Sequence, residues 1–377
     1  MKLAILKEKL VKGLNIVEKI TGKNSTLPIL NNVLISAADN HLKLSTTDLE
    51  LGISYWGLAK VEEKGEITIP VKTLSSFVSL SGEEKLTMET KDKTLFLKGE
   101  NYKTQIKGLD AKDFPIIPEV LSEEWFEVDS EIFCQGILQV IDFCALTQVR
   151  PELSGLYFSF QKNIIKIVAT DSFRLAEKTI TFDSSAKEFT SRQSLIVPRN
   201  AARELINIFS EQNQKIKFYF SPSQIMVESR FPESKKPQAR LVSRLIEGEY
   251  PNYEDVIPRE FKTQVIIARE RFLNHIKSAS LFSGRTNEIK LSISPKKGSV
   301  TIFSQNVDLG ETLSELSAQI KGEEADVSFN YKFLSDGLAQ IKTNEVVLEL
   351  NGQEGPGVLK PINDSNYLYI IMPVKTS

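Results

Sequence analysis

A plan of helix, hairpin, helix, hairpin runs three times along these 377 residues, and a repeat of that length constrains the fold more than any single motif. Its clearest markers are Leu44-Ser45-Thr46-Thr47-Asp48-Leu49-Glu50-Leu51 in the first third and Val168-Ala169-Thr170-Asp171-Ser172-Phe173-Arg174-Leu175 in the second. A weaker copy, Ile302-Phe303-Ser304-Gln305-Asn306-Val307, lies in the last third. Length alone allows two or three domains at roughly 100–200 residues each; the repeat decides for three similar ones. Function then belongs to an assembly of domains rather than to one pocket.

The periodicity places the elements. Leu6, Leu10, Leu14 and Val17 share one stripe of a helix from Lys7 to Thr21, and Lys9, Lys12, Lys19 and Lys23 gather on the other side. Alternation predicts strands through Val33-Leu34-Ile35, Leu42 to Leu44, and Leu49 to Tyr55. Pro70 leads a short helix, Val71 to Leu80, with Lys72 near its start, and a hairpin turns at Lys91-Asp92-Lys93. In the second third a helix spans Ser130 to Gln148. Pro198 leads another, with Ala202, Leu205, Ile206 and Phe209 inward and Arg199 and Arg203 one turn apart. In the last third Arg269 to Ser283 is helical, and Asn330 takes the place of the two prolines. Asp113-Phe114-Pro115-Ile116-Ile117-Pro118 and Glu249-Tyr250-Pro251-Asn252-Tyr253 are equivalent linkers, stiffened by proline.

Much chemistry is excluded. There are two histidines, His41 in a turn and His275 on a helix, so no histidine pair serves a metal or acid–base catalysis. Phosphate-cradling glycine loops and the nucleophile elbow are missing. Asp48 and Asp171 follow a strand-end threonine, the position of a turn cap that accepts backbone N–H groups. Cys134 and Cys144 stand ten residues apart in one predicted helix, about 15 Å by rise and too far to bridge. No stretch reaches the length of a membrane span, and the N-terminus is charged too early for a secretory signal. The expectation is a reduced, cytoplasmic protein without cofactor or metal. Acidic residues cluster at Glu123-Glu124, Glu311, Glu315 and Glu323-Glu324 while lysines crowd particular helices, an asymmetry that matters more to a polyanionic partner than the net charge of −2.

The chain resembles the bacterial DNA polymerase III beta subunit family along its whole length. The likeness rests on an ordered set: Ser25-Thr26-Leu27-Pro28-Ile29-Leu30-Asn31-Asn32-Val33-Leu34, Thr47-Asp48-Leu49-Glu50, Ala169 through Leu175, Ile196-Val197-Pro198-Arg199, Glu249 through Tyr253, and Ile371-Met372-Pro373-Val374. The resemblance implies an α+β fold of three tandem DNA-clamp domains, spanning 1–120, 127–256 and 257–377. Helices would line the inside of a head-to-tail homodimeric ring, with antiparallel sheets outside. It implies a non-catalytic sliding clamp that encircles duplex DNA, tethers the replicative polymerase and serves the clamp loader, other polymerases and repair proteins.

On that reading the DNA-facing residues are Lys9, Lys12, Lys19, Lys23, Lys72, Gln148, Arg150, Arg199 and Arg203, joined by Arg271 and Lys332. Weak, diffuse phosphate contacts suit a ring that slides. The resemblance also implies an apolar cleft for short partner peptides, formed by Leu153, Thr170, Ser172, Phe173, Arg174, Leu175, Pro251, Val256, Asn330, Phe333, Ile370, Ile371, Met372 and Pro373. Two departures stand out: Asp255 where some relatives carry a basic residue, and Phe173 where some carry histidine. For the ring contact it points to Phe77, Lys103 and Ile106 against Leu281 and Phe282, with Asp308 and Glu311 supplying charge. Two other readings remain open, a diverged clamp duplicate acting as a protein scaffold and a nucleic-acid enzyme with a carboxylate metal site.

Overall fold

The computed structural model describes residues 1–21, 27–120, 125–147, 149–161, 163–181, 193–211, 214–233 and 236–374. Of the predicted DNA-facing residues, Lys23 and Gln148 fall outside them. The chain forms two compact units, one built mainly from Met1–Gln135 and Val197–Ile246, the other from Gly136–Thr181 and Glu247–Ser377. Both are α+β, built on antiparallel strand pairing.

Six α-helices occur among the described residues: α1 Lys7–Val17, α2 Val71–Leu80, α3 Ser130–Val140, α4 Arg199–Phe209, α5 Arg269–Ser280 and α6 Tyr331–Gln340. Their starts follow local chemistry. Pro70 and Pro198 precede α2 and α4, where a fixed φ favours a helical entry. The Asp129 carboxylate accepts from the N–H groups of Glu131 and Ile132 at the head of α3, and Asn330 Oδ1 accepts from Lys332 N at 2.9 Å at the head of α6.

Three helices are shorter than their periodicity predicts. The first gives way after Val17 to a 3₁₀ turn, Glu18–Ile20, and α3 likewise to Ile141–Phe143. α5 stops at Ser280, where the Ser280 hydroxyl donates to Lys277 O and that of Ser283 to Ser280 O; such serines compete with the helical ladder for carbonyls. Leu6 does not join the buried stripe of α1. It ends the strand Lys2–Leu6 and is exposed. In α4 it is Ile208 rather than Ile206 that is fully buried.

In the first unit an eight-stranded sheet takes the spatial order 125–129, 215–220, 224–230, 237–244, 51–58, 41–47, 32–38, 65–70, and a five-stranded sheet the order 60–63, 2–6, 85–91, 94–98, 103–107. The larger sheet runs continuously from strands of the first third into strands of the second through the register Ala239↔Tyr55 to Ser243↔Leu51. The second unit repeats the device. Its nine-stranded sheet is joined by Arg174↔Ile371 to Lys178↔Tyr367, and its four-stranded sheet has the order 310–317, 299–306, 288–294, 325–330. α1 lies so close to its sheet that a Cβ on Gly13 would stand 2.4 Å from Tyr55 Cδ1, so only glycine fits at that crossing. Cys134 and Cys144 are both buried and not joined in a disulfide, and burial pushes the Cys134 thiol up to about 12.

Candidate functional site: an apolar cleft and basic helix faces

The cleft of the second unit begins with a turn. Thr170 ends a strand and donates its hydroxyl to Arg174 O at 2.7 Å. Asp171 Oδ1 accepts from the N–H groups of Phe173 and Arg174, both at 3.0 Å. Ser172 is thereby held at φ 76°, and Phe173 projects outward, 62% exposed. Asp171 is a turn cap, the role its position predicts.

Arg174 is fixed on every side. Its Nε donates to Asp171 Oδ2 at 2.9 Å and its Nη1 to Asp336 Oδ2 at 2.6 Å. The guanidinium lies 4.5 Å from the Phe333 ring centre and 5.2 Å from that of Phe143. Burial opposes its charge, but the bonds to Asp336 and Asp171 outweigh burial and raise its pKa above the ordinary arginine value. Arg174 therefore forms a rigid cationic wall whose charge is already matched.

The cleft encloses about 190 Å³. Leu153, Leu175, Ile370, Pro251, Val256 and Met372 supply its apolar lining, and Thr170, Ser172, Phe173 and Arg174 also line it. Ile371 is instead fully buried in its strand, Asn330 caps α6, and Phe333 backs Arg174. Neither these three nor Pro373 lines the cavity. Arg150, predicted to face DNA, lines the cleft and pairs with Glu152 at 2.9 Å. Asn252 and Tyr253 join the lining without having been foreseen. Tyr253 is held from below: its hydroxyl donates to Glu177 at 2.6 Å, and Tyr157 stacks on Tyr250 at 4.8 Å. Burial, then Glu177, pushes the Tyr253 phenol far above its ordinary pKa.

The first unit contains a counterpart that is closed. Thr47, Asp48 and Leu49 build the same turn, with Leu49 at φ 79° and Asp48 Oδ1 accepting from Glu50 N and Leu51 N. Its linker lies directly on the sheet. Gly52 leaves room for Ile117, whose Cγ2 would be 2.6 Å from any added Cβ; the aligned residue in the second unit is Leu175, which lines the cleft. Val120 packs with Met226 and Val242 and is 5% exposed, whereas the aligned Val256 is 47% exposed. One groove is filled by its own chain and the other stands open.

A larger groove of about 620 Å³ runs past Leu6, Lys7, Glu8, Val11, Glu83 and Glu84. Lys7 and Glu83 of its lining are engaged internally. Lys7 donates to the carbonyls of Ser79 and Ser81, and Glu83 accepts from the N–H groups of Glu100 and Asn101.

The predicted basic residues divide between the units. In the first, α1 packs on α2; Lys12 and Lys19 near α1 and Lys72 on α2 are exposed, while Lys9 is half-buried with Glu8 3.4 Å away. Arg203 of α4 is exposed and Arg199 half-buried. In the second, Arg271 and Lys332 are exposed on α5 and α6. No group of three or more metal-ligating side chains occurs among the described residues, and no helix there is long and apolar enough to cross a membrane.

Three models of one family match in succession: the N-terminal domain of the DNA polymerase III beta subunit over residues 1–118, the central domain over 127–252 and the C-terminal domain over 254–375. The chain belongs to the bacterial DNA polymerase III beta subunit family, the beta sliding clamps. It is 29% identical over 381 residues to the beta sliding clamp of Synechococcus elongatus, covering all of this chain and 99% of the relative. With the beta sliding clamp of Bacillus subtilis it shares 25% over 388 residues, covering both in full. Among solved structures, the DNA polymerase sliding clamp of Bacillus subtilis superposes with a TM-score of 0.93 at 25% identity, and both chains are covered completely. The beta subunit of Thermotoga maritima has the same fold, with a TM-score of 0.90 at 24% identity over both full chains. Like these relatives, the chain is a DNA sliding clamp of replication.

Proposed function

We propose that two copies close head to tail into a ring around duplex DNA, and that the open cleft takes short peptides of the polymerase, the clamp loader and repair proteins. The observation that carries the ring is a pair of uncovered sheet edges of opposite charge. Strand Lys103–Lys107 ends the five-stranded sheet and exposes Lys103 and Lys107; strand Gly310–Ser317 ends the four-stranded sheet and exposes Glu311 and Glu315. Uncovered edges of this length pair with another chain, and two different edges meeting give a heterologous contact that closes by repetition.

Apolar residues flank both edges. Phe77 packs edge-on against Tyr102, 6.3 Å between ring centres, beside the exposed Leu80. Leu281, 69% exposed, lies with Phe282 at the end of α5, and Leu313 is exposed on the acidic edge itself. Ile106 is buried within its own sheet, so Lys103 and Phe77 carry more of the proposed contact.

The boundaries 1–120, 127–256 and 257–377 divide the proposed ring into like domains. Lys9, Lys12, Lys19, Lys72, Arg199, Arg203, Arg271 and Lys332 would meet phosphates without reading bases. Retention is topological, so the chain needs no catalytic group, and its place is with the chromosome in the cytoplasm. Sedimentation together with retention on circular and linearised DNA tests the ring: a dimer should stay on nicked circles and run off linear ends, and equal loss from both templates would sink it. For the cleft, Leu175→Ala with Met372→Ala should weaken polymerase-peptide binding about tenfold or more and leave the dimer intact.

A further inference from the structure

We propose that Asp255 is a specificity determinant of the cleft, selecting peptides that carry an arginine beside their apolar residues. The inference rests on the reading of the cleft as a peptide site and adds what that site prefers.

The closed counterpart in the first unit shows what a carboxylate at this place binds. Phe114-Pro115-Ile116-Ile117-Pro118-Glu119-Val120 and Tyr250-Pro251-Asn252-Tyr253-Glu254-Asp255-Val256 align proline on proline and valine on valine. Glu119 therefore corresponds to Asp255. Glu119 Oε1 accepts from Arg240 Nη1 at 2.5 Å, and Arg240 also pairs with Glu228 and lies 5.4 Å from the Trp56 ring centre. Arg240 stands opposite Ser54 in its sheet, and Leu368 stands opposite the corresponding Glu177. Where the first unit has its own arginine, the second has leucine.

Asp255 is left without that cation. It is exposed and accepts one hydrogen bond, from Asn252 Nδ2 at 2.7 Å, while its neighbours Asn252 and Val256 both line the cavity. The nearby cations are already matched: Arg150 by Glu152, Arg174 by Asp171 and Asp336, and Lys166 by Glu177 and Glu254. Among the described residues no base is paired with Asp255. The Asn252 bond fixes the carboxylate, leaving its second oxygen for a ligand. A guanidinium fits such a fixed planar acceptor better than an ammonium, because its fork donates along defined directions.

The test uses the full-length chain and three synthetic peptides sharing one leucine–phenylalanine core, flanked by Arg, Gln or Glu, titrated at low salt. The Arg peptide should bind about fivefold tighter than the Gln peptide, the upper range for an exposed ion pair, and high salt should erase the difference. Asp255→Asn should abolish the preference and Asp255→Arg should transfer it to the Glu peptide, both leaving Gln-peptide affinity within about twofold. Binding of the Gln peptide without any Arg preference, or a preference that survives Asp255→Asn, overturns the role of Asp255 alone. If none of the three peptides binds, the cleft reading falls and takes this proposal with it.

Discussion

The Tyr253 hydroxyl donates to Glu177 across 2.6 Å, tying the linker to the strand that forms the cleft floor. The bond is buried and joins residues 76 apart in sequence, so it fixes where the linker crosses the sheet. Pro251 and Val256, on either side of the tyrosine, keep their places at the cleft through that anchor.

Tyr253→Phe should therefore lower stability by about 1–3 kcal/mol, the range for a buried charged acceptor that loses its donor. It should also loosen peptide binding several-fold, although the hydroxyl touches no peptide in this reading. Thermal denaturation and peptide titration on the same variant separate the two effects. Lost stability with unchanged affinity would show that the linker holds its course without this bond.

Crowding at Gly13 gives a second expectation. Gly13→Ala drives a methyl into the Tyr55 ring and toward Leu44 Cδ1, 2.9 Å away, and overpacking of this kind costs about 1–3 kcal/mol. Denaturant unfolding should show a lower midpoint with an unchanged slope. A midpoint equal to the wild type would mean that α1 shifts freely on its sheet.

The basic helix faces are tested by salt. Neutralising Lys12, Lys19 and Lys72 together should flatten the dependence of DNA binding on salt by about 0.9 per lost phosphate contact. Fluorescence titrations at several ionic strengths measure that slope. Retention on a nicked circle should fall less than affinity for short duplexes, since the ring's hold is topological. An unchanged slope would remove these lysines from the DNA-facing surface.

A pH expectation follows from Glu83. Its carboxylate accepts first from Asn101 N and then from Glu100 N, which holds its pKa below the ordinary 4.5. A depressed carboxylate contributes stability that is fully present above its unfolded pKa and is lost as the pH falls through the folded value. The amide resonances of Glu100 and Asn101 should titrate together, with a midpoint below 4.5. A midpoint at or above that value would mean the two bonds do not persist in solution.

Much of this was legible because its causes are local. Asp48 and Asp171 cap turns in the structure because aspartate after a strand-end threonine can reach N–H groups two and three residues on. Asn330 and the two prolines begin helices for equally local reasons. Phe173 and Asp255 drew notice as departures from the residues of some relatives, and both stand exposed at or beside the cleft. Asp336 and Phe143 gave no signal. They meet Arg174 from α6 and from a 3₁₀ turn distant in the chain, and periodicity carries no information about which distant side chains share one guanidinium.

The sequence by itself determined three like modules, their helix starts and hairpin turns, and membership of a clamp family, because each follows from spacing, capping and ordered motifs. Only the tertiary structure decided which of two repeated grooves is open. The difference lies in what each linker meets: beside one turn Ile117 packs over Gly52 and Val120 is buried with Met226 and Val242, and beside the other Leu175 lines the cavity and Val256 stays exposed. Two linkers of similar pattern thus end in different states, because the strands each one meets are remote from it in the chain.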